Sequence, residues 1–160
     1  MPDVTLGNPQ SKILNPELHG TLLAFDFGTR RIGIAKGNTL LSNAEPLATI
    51  DAEKTETRFA QIAELIKSWQ PSGLIVGLPC NEDGTPHELT ALSRRFANRL
   101  KGRFNLPVIL VDERYTSAAA SSALNELGIR GRKQKAVLDQ YAAQQILQAY
   151  FDEPTAGISV

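Results

Sequence analysis

The sequence predicts an α/β fold: a central mixed five-stranded sheet, three antiparallel strands then parallel strands, flanked by helices. Three observations lead there. The first part of the chain, to about residue 50, carries three apolar strand signals separated by short polar turns. From residue 53 onward, helical periodicity alternates with short apolar runs. Those later runs, Leu74 to Leu78 and Val108 to Val111, are continuously apolar, as expected of strands covered on both faces.

The elements follow in order. Strand signals run from Leu22 to Phe27, from Arg31 to Gly37 and from Ala44 to Ile50. The first two form a hairpin in which Asp26 stands at the lip of a strand and Gly28 supplies a positive φ to the turn. A helix from Glu53 to Trp69 aligns Phe59, Ile62, Ile66 and Trp69 on one stripe, and Pro71 and Gly73 stop it. After Leu74 to Leu78, Thr85-Pro86-His87-Glu88 has the layout of a capping box. It opens a helix with Leu89, Leu92, Phe96 and Leu100 on one face. Pro107 to Val111 is a strand ending in Asp112-Glu113-Arg114. Thr116 caps a helix through Leu127 that Gly128 ends, a basic loop spans Arg130 to Lys135, and a last helix runs from Gln134 to Tyr150. The expected organisation is a flexible leader over 1–20, one domain over 21–150 and a flexible tail over 151–160.

Composition narrows the class. At 160 residues with 42% hydrophobic content, the chain suits one domain with a sizeable core. Lys+Arg 17 balances Asp+Glu 17, so any nucleic-acid contact must come from local basic patches. The single cysteine, Cys80, excludes an internal disulfide and fits a reducing cytosol. No stretch is long and apolar enough to span a membrane as a helix, and the start lacks the pattern of a secretory signal.

The chemistry lies in acids placed among apolar residues. Asp26 ends one strand, and Asp112 and Glu113 end another. Successive strand side chains point to opposite faces, so only one of Asp112 and Glu113 can look toward Asp26; the spacing leaves open which, and Arg114 is an ion partner for either. Asp139 shares a stripe with Ala136, Ala143, Ile146 and Tyr150. A carboxylate on a packing stripe is costly unless paired or metal-bound. The alternatives are that Asp139 lies at the stripe's edge or pairs with Lys135 one turn earlier. Carboxylates converging on one cleft repel unless cations neutralise them, and oxygen ligands suit Mg²⁺ or Mn²⁺. Cys80, His19 and His87 show no metal-ligand spacing. Arg30, Arg31, Arg114, Arg130, Arg132, Lys133 and Lys135 lie near the acids in sequence and read as nucleic-acid contacts. Arg94, Arg95, Arg99, Lys101 and Arg103 read as a solvated helix face.

Together these motifs resemble the YqgF family of ribonuclease H-like proteins, described as Holliday-junction-resolvase-like and as pre-16S rRNA nucleases. The matching segments are Asp26 to Gly33, Val76-Gly77-Leu78-Pro79, Asp112 to Thr116 and Lys135 to Ala143, within Thr21 to about Tyr150. The Cys80-Asn81-Glu82-Asp83-Gly84 loop departs slightly from relatives. The resemblance implies a ribonuclease H-like fold and a cytoplasmic, metal-dependent nuclease. It puts the metal-binding and catalytic roles on Asp26, Glu113 and Asp139, with Mg²⁺ or Mn²⁺ as cofactor. Its expected partner is nucleic acid: precursor 16S ribosomal RNA matured at the 5′ end, or branched DNA. The protein is expected as a monomer or a homodimer, since two-fold junction cutting demands a dimer. Two rivals remain at this point. One is a non-catalytic nucleic-acid-binding module of the same fold. The other uses Asp26-Phe27-Gly28-Thr29 as a phosphate-binding turn resembling those of actin- and hexokinase-like ATPases, although those close two domains around a nucleotide and this chain has room for one.

Overall fold

A computed structural model describes residues 18–79, 88–113 and 131–160, with side chains in the last segment from residue 137. The expected capping residues 85–87, the helix over 116–127, Cys80, Arg114 and Arg130 lie outside the described residues.

Strands β1 (Thr21–Phe27), β2 (Arg31–Asn38) and β3 (Asn43–Asp51) form the antiparallel meander. Helix α1 (Thr55–Trp69) leads to β4 (Gly73–Leu78), which pairs parallel with β1. Helix α2 (Thr90–Phe104) leads to β5 (Val108–Asp112), parallel to β4. Helix α3 (Gly131–Asp152) and a short 3-10 turn (Pro154–Ala156) precede β6 (Ile158–Ser159). The sheet order is β3-β2-β1-β4-β5-β6.

The sheet therefore has six strands where the sequence predicted five. The additional one lies in the segment expected as a flexible tail: Ile158 and Ser159 pair antiparallel with Leu110 and Ile109, and Val160 donates its N–H to the Val108 carbonyl. Two residues are too short for a period-two signal. At the other end, Leu18 is buried, so the last residues of the expected leader belong to the packed domain.

Period-two alternation divides the apolar residues between two faces. One face carries Leu23, Phe25, Ile32, Ile34, Leu74, Val76, Val108 and Leu110, packed under Phe59 and Ile62 of α1 and Phe96 and Leu100 of α2. The other carries Leu22, Ala24, Ala35, Ile75, Ile109 and Val111 under Ala143, Ile146, Leu147 and Tyr150 of α3. Three details differ from expectation. Leu92 is 37% exposed and Leu89 is the residue before the first turn of α2, so the packed face of that helix is Ser93, Phe96, Ala97 and Leu100. Trp69 is 38% exposed and is covered by the Lys36 ammonium, 4.6 Å from its ring centre. Helix α3 begins at Gly131, so Arg132, Lys133 and Lys135 belong to its first turns and not to a loop.

Candidate functional site

The site forms where β1, β4 and β5 end together. β1 and β5 are parallel to β4, so their carboxyl-terminal ends share one edge of the sheet. Asp26 is near the end of β1, on the same face as Leu22 and Ala24, toward α3. Beyond β5, Glu113 donates its backbone N–H to the Leu78 carbonyl at 3.3 Å, carrying strand pairing one residue further. Alternation then puts Glu113 with Ile109 and Val111 on the α3 face, and Asp112 with Leu110 on the opposite one. The choice left open by spacing falls to Glu113 as the neighbour of Asp26. Asp112 is exposed and Glu113 is half-buried.

Two glycines make the space. Gly33 of β2 lies directly across from Asp26. A Cβ on Gly33 would stand 1.9 Å from the Asp139 carbonyl oxygen and 2.2 Å from its carbon. The backbone of α3 thus rests on bare β2 backbone, and this contact brings Asp139 over Asp26. At Gly77 of β4, a Cβ would meet Glu113 Oε2 at 2.1 Å and Ile146 Cδ1 at 2.4 Å. The Glu113 carboxylate therefore occupies the room that Gly77 leaves beneath α3. A glycine inside a strand marks such close approaches, so the signal was present in the sequence, though not used there. Gly28 differs from expectation. Its φ is not positive; it is required because a Cβ would meet the Arg31 carbonyl at 2.6 Å.

Helix α3 is fastened along the edge strand by glutamines one turn apart, which the sequence reading missed. Gln140 Nε2 donates to Thr49 Oγ1 at 3.1 Å, Gln144 Nε2 to the Ala44 carbonyl at 2.9 Å and Gln148 Nε2 to the Ser42 carbonyl at 3.1 Å. On the far side of the sheet, Arg58 of α1 is buried, lies over the Phe27 ring and donates Nε to the Ala52 carbonyl at 2.5 Å.

Asp26 is the acid that links the other two. Burial, and then the charge of Asp139, pushes the Asp26 carboxyl up to about 7. Burial, then the charges of Asp26 and Asp112, pushes Glu113 up to about 8. Burial also raises Asp139, opposed by a hydrogen bond and the positive charge from Arg31. The Arg31 Nε to Asp139 Oδ2 distance is 2.8 Å, so among the described residues Asp139 has Arg31 as its ion partner; the side chain of Lys135 lies outside them. Among the described residues, no three His, Cys, Asp or Glu side chains already close around a common point. Asp139 is turned toward Arg31, while Asp26 and Glu113 crowd each other.

Of the basic residues named from sequence, Arg31 is half-buried at the cluster and Arg30 is exposed in the adjoining turn. Arg132, Lys133 and Lys135 lie at the start of the helix that carries Asp139.

A family model described as "RuvX: Holliday junction resolvase" matches residues 20–153. The chain belongs to the RuvX family. This agrees with the resolvase-like resemblance carried by the motifs. The chain is 61% identical over 137 residues to a Chromobacterium violaceum protein named "Putative pre-16S rRNA nuclease", covering 85% of this chain and 100% of that one. It is 62% identical over 133 residues to a protein of the same name from Methylobacillus flagellatus, covering 83% and 91%. Among solved structures it is similar to T. thermophilus RuvC in complex with Holliday junction substrate, with TM-score 0.54 and 13% identity over 89% of this chain and 100% of that one. A second Thermus thermophilus RuvC structure matches with TM-score 0.51, 12% identity, 88% of this chain and 99% of that one. At that identity the likeness establishes the fold, which is ribonuclease H-like. No helix among the described residues is long and apolar enough to cross a membrane.

Proposed function

We propose that this protein is a divalent-metal-dependent endonuclease acting on structured RNA, with Asp26, Glu113 and Asp139 as metal-binding and catalytic residues. The observation that carries the proposal is the crowding of Asp26 from β1 and Glu113 from the end of β5 at one edge of the sheet, with the α3 backbone at Asp139 resting on Gly33 beside them and all three carboxyls raised in proton affinity. Such a cluster is costly in isolation and fits a hard cation through its all-oxygen donor set. Mg²⁺ or Mn²⁺ bound there supplies positive charge to the phosphodiester and acidity to a water.

The chain's own groups do the rest. Asp26 and Glu113, held rigidly by strand backbone and by the gap at Gly77, provide oxygens on a fixed face. Arg31 orients Asp139 and limits how far its proton affinity rises. Arg30, exposed in the turn next to Asp26, is placed to neutralise charge developing on phosphate oxygens. The names of the similar proteins support precursor 16S ribosomal RNA as substrate, and processing of that RNA fits a cytoplasmic setting. The family description favours a second reading, cleavage of branched DNA.

Purified protein is mixed with precursor RNA and with a four-way DNA junction, with Mg²⁺, with Mn²⁺ and with chelator. The proposal expects cleavage of the RNA with either metal, and none with chelator or by Asp26→Asn. An Asp26→Asn protein that cuts as well as the parent would overturn the assigned chemistry. Cleavage of the junction alone would select the second reading. Binding without cleavage under all conditions would select a non-catalytic module.

A further inference from the structure

Helix α2 carries Arg94, Arg95, Arg99, Lys101 and Arg103 and no Asp or Glu between Thr90 and Phe104, in a chain whose formal net charge is zero. All of these cations are exposed; Arg94, Arg95 and Arg99 lie away from the packed face of Ser93, Phe96, Ala97 and Leu100, and Lys101 and Arg103 border it. Arg95, Arg99 and Arg103 recur at every fourth position and so climb one flank in steps of about 6 Å. Arg94 and Lys101, two turns apart, climb the other flank. Like charges one turn apart weaken a helix, and arginines in its amino-terminal half oppose the helix dipole. A face selected for solvation alone carries both signs interspersed. Lys101 donates to the Val160 carbonyl, and Arg103 stacks 4.3 Å from the Phe59 ring centre. Among the described residues, Arg94, Arg95 and Arg99 make no ion pair or hydrogen bond.

The location of α2 is equally informative. Thr90 Oγ1 donates to the Pro79 carbonyl at 2.5 Å, just past β4, so the helix starts at the edge where Asp26 and Glu113 emerge. From there it runs back for about 22 Å along the face opposite α3.

We propose that the outward face of α2 is a phosphate-binding track that holds a double-helical arm of the substrate beyond the carboxylate cluster. This rests on the nuclease reading above and adds how the substrate's distal part is held. Two cation rows on a straight, rigid rod complement a backbone with regularly spaced phosphates. Contacts of this kind fix position and register and carry no base information, so the arm is recognised by charge and shape.

The test is a salt titration of binding in the Asp26→Asn background, which prevents cleavage. The probes are a long RNA hairpin, a DNA duplex of the same sequence and a short single-stranded RNA. Adding Arg94→Gln, Arg95→Gln and Arg99→Gln is expected to reduce the slope of log affinity against log salt on the duplexes by about 2 to 3. Duplex affinity is expected to fall at least tenfold at low salt, with the single strand little changed. A Lys54→Gln, Lys67→Gln control, at the residue before α1 and in its last turn, is expected to keep the parent slope. Relief of repulsion leaves the melting temperature of the triple variant unchanged or raised, which separates lost contacts from misfolding. If the triple variant keeps the parent slope on duplexes, or the α1 control loses as much, the α2 track is wrong. If the Asp26→Asn protein binds none of the probes, the nuclease reading itself fails. Equal losses on RNA and DNA duplexes support a shared phosphate track, and loss on RNA alone supports one matched to A-form spacing.

Discussion

Replacing Asp26 with Asn tests the electrostatic claim most directly, because it separates stability from activity. In the metal-free protein the Asp26 carboxyl is pushed from 3.8 up to about 7, chiefly by burial and then by the charge of Asp139. A carboxyl whose folded pKa is raised binds its proton more tightly folded than unfolded. Folding stability therefore falls as pH rises from the unfolded value toward the folded one, and the full penalty is present above both. For Asp26 that penalty is on the order of 4 kcal/mol, of which about 3 kcal/mol accrues between pH 5 and pH 8.5. An asparagine keeps the shape and lacks the charge, but it brings an amide that must itself be hydrogen-bonded. The informative quantity is thus the change with pH of the difference between the two proteins. Urea unfolding in chelator at pH 5 and pH 8.5 is expected to show the variant gaining on the parent by about 2 to 3 kcal/mol across that interval. Since the charge of Asp26 also helps raise Glu113, the remaining titration of the variant is expected to move to lower pH. Adding Mn²⁺ is expected to stabilise the parent more at pH 8.5 than at pH 5, because cation and proton compete for the same oxygens. The variant should respond weakly. A parent whose stability does not change between pH 5 and 8.5, or a variant that tracks it in parallel, would refute the crowding of these carboxyls.

Three further outcomes follow from the same geometry. Gly33→Ala puts a methyl group into the Asp139 carbonyl, where backbone must yield. A loss of about 1 to 3 kcal/mol in urea unfolding is expected, with cleavage falling at least tenfold as Asp139 shifts, and full activity would show that α3 need not rest on β2. Gly77→Ala meets the flexible end of Glu113 and the Cδ1 of buried Ile146, so a cost of about 1 to 3 kcal/mol in folding is expected together with one in metal titration. The half-saturating Mn²⁺ concentration should rise severalfold, and unchanged titration would remove Glu113 from the metal set. Arg31→Gln removes the group that lowers the Asp139 pKa, so the acidic limb of kcat/KM against pH is expected to move to higher pH. A limb that stays in place would detach Asp139 from the rate.

Much of this protein is legible in its sequence because its signals are local. The apolar runs of Leu22 to Phe27 and Arg31 to Gly37, the stripe of Phe59 and Ile62, and the unbroken run at Leu74 to Leu78 depend on neighbours one to four residues away. So does the placement of Asp26 and of the Asp112-Glu113 pair at strand ends, and the anomaly of Asp139 on an apolar stripe. These local patterns determined an α/β chain with acids at the ends of its strands, and alternation guaranteed that one of Asp112 and Glu113 would face away. Tertiary structure decided which one, through the pairing of β5 with β4 and the extra step from Glu113 to Leu78. It decided that Asp139 pairs with Arg31, 108 positions away, because α3 comes down on Gly33. It also turned residues expected as a loose tail into β6, where pairing with Leu110 stabilises a segment too short to announce itself. A contact between distant segments depends on register and on the absence of a single methyl group, and neither has a periodicity.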